Sequence, residues 1–363
     1  MNTITTLSFP GLGIGEFDVN AIAFTLFGKL EVRWYGILIT LGIVLAILYA
    51  IWRGKRNENI VFDHYIDLSF YTVFSGVVGA RLYYVLTTLD TGSYKSFLDV
   101  IAIWNGGLGI YGGIIGGIIG LFVGCKIKKL PWKKVFDTVG PGVMLAQAIG
   151  RWGNFFNGEC YGSEIGSTTT FDFFTAKINL PSGEGSLLHA LRMGVFPSDF
   201  SDRVMLYFHP TFFYEFFWNV VGFILINVFY KHKKFDGQIA VLYLSWYGLG
   251  RVFVEGFRSD SLYIPGTQIR ISQFVGALCF LVGAIYLLVV FILRRAGKKV
   301  PALEVYTPAP VEKKTSGKPF WKKVETKQNV NASAETTEAP AEKQEAAEES
   351  VEIKEEEANG NPD

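Results

Sequence analysis

Three polar residues recur at four-residue intervals in one apolar stretch, residues 237–257 of this 363-residue chain. They are Tyr247, Arg251 and Glu255, and an i, i+4, i+8 spacing places them on one face of a helix. With a rise of ~1.5 Å per residue, they lie roughly 15, 21 and 27 Å from the start of that stretch. Because ionisable groups are costly inside a membrane span, this face indicates a functional site.

Further polar residues lie at a similar depth in or beside the apolar stretches. This holds if consecutive stretches cross the membrane in alternating directions. These residues are Arg33, Tyr35, Arg81, Tyr111, Arg151, Asn154, Glu215 and Arg258. Arginine presents a planar fork of N–H donors that suits phosphate oxygens. At headgroup depth the abundant anions are phospholipids. The set therefore predicts a pocket for a phospholipid phosphate, in which the arginines would also stabilise negative charge on a phosphate leaving group.

Structural roles would account for single members of this set: an ion pair inside the membrane, helix packing or a turn. The residues open to such roles are Arg81 with Glu215, Arg251 with Glu255, Tyr111, Tyr247, Asn154 and Asn157. These roles do not explain why several arginines, two acids, amides and tyrosines gather at one depth.

Seven apolar stretches must position these residues. They are residues 35–52, 66–89, 100–125, 135–150, 211–230, 237–257 and 271–293. Since a spanning helix needs about 20 residues, the stretches predict an all-α integral membrane protein with seven transmembrane helices. A chain that is 50% hydrophobic, with three cysteines and a net charge of +1, fits neither a soluble enzyme, a disulfide scaffold nor a nucleic-acid binder.

Basic residues predict the orientation of these helices. Each dense Lys/Arg cluster follows an odd-numbered stretch, within residues 53–56, 126–134, 231–234 and 294–299. By the positive-inside rule, the N-terminus lies outside and the C-terminus in the cytoplasm. The first 18 residues lack the basic and then apolar pattern of a cleavable signal peptide.

The remaining segments complete the expected organisation. Residues 1–299 form the seven-helix domain, and the external loop 153–209 within it forms a small extracytoplasmic subdomain. Residues 300–363, rich in glutamate, predict a disordered cytoplasmic tail. The Gly140-Pro141-Gly142 sequence predicts a kinked or partly re-entrant fourth element. Glycines between Gly106 and Gly120 have the small-xxx-small spacing of close helix contacts.

The segment QAIGRWGNFFNGE at residues 147–159 resembles the signature of the bacterial prolipoprotein diacylglyceryl transferases. Further resemblances follow in chain order at residues 33–36 (RWYG), 79–81 (GAR), 104–107 (WNGG), 209–215 (HPTFFYE), 247–258 and 271–273 (ISQ). Together they cover residues 20–295 and all seven stretches.

The resemblance implies a transferase of the bacterial cytoplasmic membrane. It would move the diacylglyceryl group of phosphatidylglycerol to the lipobox cysteine of a preprolipoprotein, forming a thioether and releasing glycerol phosphate. No metal, cofactor or nucleic acid is expected. The implied catalytic residues are Arg151, Arg251, Glu255 and Tyr111. The implied substrate-binding residues are Tyr35, Arg81, Asn154, Asn157, Glu159, Gly162, Tyr247 and Arg258.

One position departs from the family pattern. Where the third motif commonly carries a catalytic histidine before two small residues, this chain has Tyr111. A tyrosine with a pKa of about 10 is a poor base for a thiol with a pKa of about 8.5. Three explanations stay open. Tyr111 orients substrate by hydrogen bonding, or Glu255, Glu159 or His209 is the base, or nearby arginines lower the pKa of the thiol.

Two other classes of function remain as alternatives. A transporter or flippase for an anionic lipid would also bury arginines in broken helices, but it would carry comparable charges in the inner half of the membrane. The sequence places only Asp67, Asp137 and Gln238 there, near the ends of stretches. A seven-helix receptor with an outward-facing pocket would have the same number of spans.

Overall fold

The computed structural model describes residues 4–28, 30–89, 94, 96–159, 161–196 and 205–297, which belong to one compact unit, Met1–Pro310. Nine α-helices occur in these ranges: α1 (Trp34–Arg53), α2 (Phe62–Thr87), α3 (Phe97–Ile101), α4 (Ile110–Ile127), α5 (Trp132–Asn157), α6 (Leu187–Ala190), α7 (Thr211–Phe229), α8 (Gln238–Glu255) and α9 (Ile271–Arg295). The expected tail at residues 300–363 lies outside the described residues, as do residues 298 and 299 of the last basic cluster.

Four of the helical segments are long and apolar enough to cross a membrane. They are Trp34–Glu58, Ile110–Ile127, Thr211–His232 and Ile271–Arg295. The other long helices, α2, α5 and α8, carry more polar side chains. The apolar segments indicate a multi-pass membrane protein.

Strands correct the expectation of an all-α protein. The described residues contain β1 (Ile4–Phe9), β2 (Ile14–Asn20), β3 (Ile22–Leu26), β4 (Leu30–Arg33), β5 (Thr168–Phe173), β6 (Ala176–Pro181), β7 (Met193–Val195) and β8 (Leu206–Phe208). One sheet has the order β2-β1-β7-β8, while β3–β4 and β5–β6 are separate hairpins. Residues near the start of the chain therefore pair with the loop after α5, as Leu7 does with Val195. Apolar stretches of helix length do not reveal these strands, because each strand is only three to seven residues long.

The four-stranded sheet packs onto the helix ends through a buried apolar cluster. Leu7, Val19, Met193, Val195 and Phe212 form this cluster. The rings of Trp152 and Phe155 at the end of α5 pack against it. The sheet is thereby fixed beside the end of α5 that carries the signature segment.

The third expected span begins later than the sequence predicted. Residues 100–125 were expected to form one helix, but α4 begins at Ile110. A capping box between Ser96 and Asp99 caps the start of the preceding five-residue helix α3. Gly106 and Gly107 then adopt φ values of +80° and +71°. These left-handed conformations suit glycine and interrupt the helix.

The fourth element is longer than predicted and forms one continuous helix. Helix α5 runs without interruption through Pro141 to Asn157, and Gly158 ends it with a left-handed φ of 63°. The segment between α5 and α7 therefore begins after residue 157, whereas the expected loop began at residue 153. A Cβ at Gly142 would lie 2.8 Å from the carbonyl oxygen of Ala46 in α1. This glycine therefore allows close packing of α1 against α5.

Glycines bring α2 and α4 into close contact, as their spacing predicted. A Cβ at Gly112 would overlap the carbonyl oxygen of Gly79 and the side chain of Tyr83. A Cβ at the neighbouring Gly113 would lie 3.5 Å from the Cβ of Ala80, an ordinary contact. The two helices therefore approach backbone to backbone along one face of α4.

We expect Gly112→Ala to destabilise the protein by roughly 1–3 kcal/mol, because the helices must separate to admit the methyl group. Gly113→Ala is the matched control and should unfold close to the wild-type temperature. Thermal unfolding in detergent measures both variants. Equal melting temperatures for the two would contradict the packing described for α2 and α4.

A buried lysine joins helices at the end opposite the signature segment. The Nζ of Lys233 lies 2.7 Å from Glu58 Oε1, 2.8 Å from Asp137 Oδ2 and 3.1 Å from Asp236 Oδ1. Asp137 also accepts hydrogen bonds from the amides of Gly237 and Ala240 at the start of α8. More charge is thus buried at this end than the sequence indicated, but it is paired internally and joins α5 to α8.

Candidate active site

One carboxylate joins three arginines from two parts of the chain. Glu215, one turn into α7, pairs through Oε2 with Arg151 of α5. Its Oε1 lies 2.7 Å from Arg251 Nη1 of α8 and 3.8 Å from Arg258 Nη1. Glu215 is 6% exposed. The two arginines expected to handle phosphate therefore lie on opposite oxygens of the same buried group.

A second acid completes the cluster. Glu255, only 1% exposed, lies 2.7 Å from Arg251 Nη2 through its Oε2. The four-residue spacing read from the sequence is thus a direct ion pair on α8. Arg258 also forms a bidentate pair with Asp260, which is half exposed. With Asp260 counted, three guanidinium groups meet three carboxylates, so the cluster carries no excess charge. What suits it to an anion is its set of arginine N–H donors.

Two interlocked tryptophans fix α7 against α8 beside this cluster. Trp218 Nε1 donates to the carbonyl oxygen of Trp246 at 3.0 Å, and Trp246 Nε1 donates to that of Trp218 at 3.0 Å. The indoles are stacked with centroids 4.4 Å apart. A Cβ at Gly250 would overlap the Trp218 indole. Because Gly250 directly precedes Arg251, this contact sets the position of Arg251 relative to Glu215.

Tyr111 has a hydroxyl partner on another helix. Its Oη lies 2.9 Å from Ser272 Oγ at the start of α9. Its ring centroid is 6.0 Å from that of Tyr83 in α2. To act as a base, Tyr111 would first have to give up its own proton, and neither a serine nor a tyrosine hydroxyl accepts a proton from tyrosine at neutral pH. The structure therefore gives Tyr111 an orienting contact between α4 and α9.

The signature segment brings two amides to one acid. Asn157 Nδ2 lies 3.1 Å from Glu159 Oε1, and Asn154 Nδ2 lies 3.4 Å from the same oxygen. Asn154 and Glu159 also line a small cavity bounded by Leu7 and Phe212. In contrast to Glu255, this carboxylate is exposed.

Glycines in and after the signature segment make room for neighbouring residues. A Cβ at Gly153 would lie 2.9 Å from the ring of Tyr35. Gly162 donates its N–H to the carbonyl oxygen of His209 at 2.7 Å and pairs with Arg258 through an isolated β-bridge. A Cβ at Gly162 would lie 2.7 Å from the Cβ of His209. The absence of a side chain at Gly162 therefore allows the loop to lie close to His209 and Arg258.

His209 is fully buried beside this loop. Its Nε2 lies 2.9 Å from Thr169 Oγ1, and its Nδ1 lies 3.2 Å from Tyr214 Oη. Burial lowers the pKa of His209 from its usual 6.5 to about 4. The ring is therefore neutral at physiological pH, and its weak basicity and engaged nitrogens disfavour a role as the base.

The depressed pKa of His209 predicts a loss of stability in acid. In the unfolded chain His209 binds a proton near pH 6.5, and in the folded chain only near pH 4. The free energy of unfolding therefore falls as the pH drops between these values. The loss reaches up to ~3 kcal/mol, at 1.36 kcal/mol per pKa unit. Melting temperatures measured from pH 7 to pH 4 should fall more steeply for wild type than for His209→Gln. Parallel curves would show that the protonation of His209 is not coupled to folding.

Arg81 lies with main-chain acceptors and not with Glu215. Its guanidinium donates to the carbonyl oxygens of Asp99, Val100, Gly106 and Gly107 at 2.6, 2.8, 2.7 and 3.1 Å. The possible ion pair between Arg81 and Glu215 is therefore replaced by a different contact. Arg81 therefore ties the end of α3 to the two glycines that precede α4.

Several residues of the site region were missed or left without a role by sequence reasoning. Glu215 was recognised as a buried acid but not chosen as a site residue, although its position one turn inside an apolar stretch was a usable signal. Arg270 donates to the carbonyl oxygen of Glu255 and pairs with Asp172. Gln273 donates to the carbonyl oxygens of Asp172 and Val252, at 2.9 and 3.0 Å. These contacts attach the β5–β6 hairpin to the end of α8, and no local pattern indicated them.

The cluster of Arg151, Glu215, Arg251 and Glu255 lies within a chain that matches a known family over most of its length. A family model described as prolipoprotein diacylglyceryl transferase matches residues 21–289. The chain belongs to the prolipoprotein diacylglyceryl transferase family. The resemblance read from its motifs is thereby confirmed.

Curated relatives in this family carry the name phosphatidylglycerol–prolipoprotein diacylglyceryl transferase. That of Lactobacillus delbrueckii subsp. bulgaricus is 42% identical over 285 residues, covering 77% of this chain and 93% of the relative. That of Lactobacillus acidophilus is 40% identical over 267 residues, 72% of this chain and 87% of the relative. The relative from Clostridium perfringens, whose name carries the number 1, is 39% identical over 279 residues, covering 75% of this chain and 95% of the relative. The similarity thus spans nearly the whole length of each relative.

Proposed function

We propose that this protein transfers the diacylglyceryl group of phosphatidylglycerol to the cysteine thiol of a prolipoprotein, a step in lipoprotein maturation. Membership of the family and the names of its relatives support this reaction. The observation that carries it is the pair of arginines, Arg151 and Arg251, held on opposite oxygens of Glu215. An arginine pair of this kind suits the phosphate that must leave.

The arginine donors of this cluster support the following course for the proposed reaction. The acceptor sulfur, as thiolate, forms a bond to the carbon of the diacylated glycerol that is esterified to the phosphate. The bond between that carbon and the phosphate oxygen breaks. The electron pair leaves with the phosphate oxygen, so glycerol phosphate departs with more negative charge than it had as a diester. Arg151 and Arg251 stabilise that charge, while Glu215 holds both guanidinium groups in place before substrate binds.

The acceptor thiol must lose its proton, and the contacts of the three candidate bases bear on which of them could accept it. Glu255 is committed to Arg251, and His209 is a weak base with both ring nitrogens engaged. Glu159 is the exposed carboxylate near the signature asparagines, and it remains a candidate. We favour a thiol whose pKa is lowered by the arginine cluster, because a nearby cation stabilises the thiolate. In this proposal Tyr111 orients substrate.

The remaining expected site residues have supporting roles in the proposal. Tyr35, Tyr247, Asn154, Asn157, Glu159, Gly162 and Arg258 line or shape the substrate site, whereas Arg81 acts through the segment it holds. The donor is a membrane lipid, and the acceptor is a signal peptide with a lipobox cysteine.

We further propose that all seven long helices cross the bacterial cytoplasmic membrane, with the N-terminus outside. The basic clusters support this orientation. The four-stranded sheet and the β5–β6 hairpin would then form the extracytoplasmic subdomain. Residues 300–363 would form a cytoplasmic tail outside the seven-helix catalytic domain.

Arg151→Ala and Arg251→Ala should each lower the rate of lipidation by at least about 100-fold, the scale measured when one donor to a developing anion is removed. The assay incubates purified protein with phosphatidylglycerol and a lipobox peptide. Mass spectrometry then detects the added mass of diacylglycerol on cysteine, and a Cys→Ser peptide shows the background. Arg192→Ala is the matched control, since Arg192 contacts His189 and Tyr207 outside the cluster. Turnover near wild type in both cluster variants, with melting temperatures unchanged, would remove the proposed role.

Tyr111→Phe should keep activity within about tenfold of wild type, because losing one neutral hydrogen bond costs ~1 kcal/mol. Ser272→Ala removes the same hydrogen bond from its other end and should have a similar effect in the same assay. A loss in Tyr111→Phe as complete as in the arginine variants, with Ser272→Ala active, would make the tyrosine hydroxyl essential.

A flippase remains the second candidate, because buried charge also occurs around Lys233 at the far end of the helices. That cluster is internally paired and has no exposed side chain at Lys233 or Glu58, so it offers no open path. The lipidation assay separates the candidates, since a flippase would move phosphatidylglycerol across a vesicle without adding mass to the peptide.

A further inference from the structure

An amphipathic hairpin, β3–β4, leads directly into the first long helix. Its strands pair Phe24 with Val32, Thr25 with Glu31 and Leu26 with Leu30. Since residues alternate between faces along a strand, the apolar pairs share one face and the pair of Thr25 and Glu31 lies on the other. The hairpin therefore has one apolar face and one polar face.

The apolar face is uncovered within the described chain. Phe24 is 50%, Leu26 40% and Leu30 61% exposed, and Phe27 at the turn is 96% exposed. In the described residues the two strands pair only with each other. A two-stranded hairpin is marginal in water by itself, and large exposed apolar patches usually mark a partner or a membrane. Something outside the described chain must cover this face.

The base of the hairpin is fixed to the start of α1. The last residue of β4, Arg33, is the N-cap of α1. The amide of Trp34 donates to the carbonyl oxygen of Ala21 at 3.0 Å, and the Trp34 ring stacks on Phe156 of α5 with centroids 5.1 Å apart. The hairpin consequently cannot turn freely about the end of the helix.

The hairpin leads into a helix whose exposed side chains are also mostly apolar. Ile39, Leu41, Ile43 and Val44 are exposed on this helix, which is apolar enough to cross a membrane. Trp34 and Tyr35 lie between the two surfaces, where aromatic residues mark the boundary between lipid and water. Glu31 and Arg33 lie 3.8 Å apart as an ion pair. With Lys29 between the strands in sequence, the hairpin has two basic residues and one acid, which suits a surface of anionic lipid.

We propose that the β3–β4 hairpin lies in the headgroup layer of the bilayer, with its apolar face and Phe27 inserted among the acyl chains. The polar face, with Thr25 and Glu31, then points to water. The partner is the lipid surface itself, and the contact resembles that of an interfacial amphipathic segment. The hairpin would fix the depth of the start of α1, and with it Tyr35 beside the signature segment. This proposal rests on α1 crossing the membrane and is independent of the transferase reaction.

Site-directed photo-crosslinking tests the proposal on the full chain. A benzophenone analogue of phenylalanine replaces Phe24 or Phe27, and the protein is reconstituted in vesicles of phosphatidylglycerol and phosphatidylcholine. Thr25 carries the same probe as the matched control, because it lies between Phe24 and Leu26 on the opposite face. We expect lipid adducts from positions 24 and 27, detected by mass spectrometry, and only background at position 25. Position 27 is exposed enough that the probe leaves folding intact.

Other outcomes would overturn the proposal. Equal lipid labelling at all three positions, or none at 24 and 27, would remove the membrane contact. Adducts to an added lipobox peptide would assign the face to the acceptor, and cross-linked pairs of chains would assign it to a second copy. Labelling does not depend on turnover, so the two proposals are tested separately. A protein that labels lipid at positions 24 and 27 but lipidates no peptide would contradict the proposed function and support this inference.

Discussion

The carboxylate of Glu215 is the group on which the rest of the site depends. It holds Arg151 and Arg251, which come from different helices, by two separate oxygens, and Arg258 lies near one of them. Without it, like charges would face one another in a buried setting. Removing one partner of a buried ion pair costs about 3–5 kcal/mol, because the remaining charge stays desolvated. Substrate phosphate would add a second anion to an arrangement that Glu215 has already formed.

Rigid helix contacts make this arrangement possible. The reciprocal hydrogen bonds of Trp218 and Trp246 align α7 with α8, and Gly250 admits the indole next to Arg251. Elsewhere among the helices, α2 and α4 approach closely through glycine. Arginine donors that are held in place in advance need little reorganisation when negative charge develops, which is the condition for effective electrostatic stabilisation.

The helices and the identity of the polar residues could largely be predicted from the sequence, because both depend on local patterns. The i, i+4 spacing of Arg251 and Glu255 is confirmed as an ion pair. The expected helix at residues 100–125 is wrong over its first turns, because apolar content does not reveal that Gly106 and Gly107 take left-handed conformations. The Gly140-Pro141-Gly142 sequence was read as a break, whereas at Gly142 the absence of a side chain admits the neighbouring helix α1.

The sequence alone determined the class of protein, its family and the residue types able to bind a phosphate, since hydropathy, charge and motif are properties of the linear chain. Only the tertiary structure decided which of these residues meet. Arg81 went to main-chain carbonyls and Arg151 to Glu215, although both are arginines near the ends of their helices. The pairing of β1 with β7 was likewise decided between segments almost 190 positions apart in sequence. Such contacts depend on how helices pack and chains cross, and a one-dimensional pattern carries no distances.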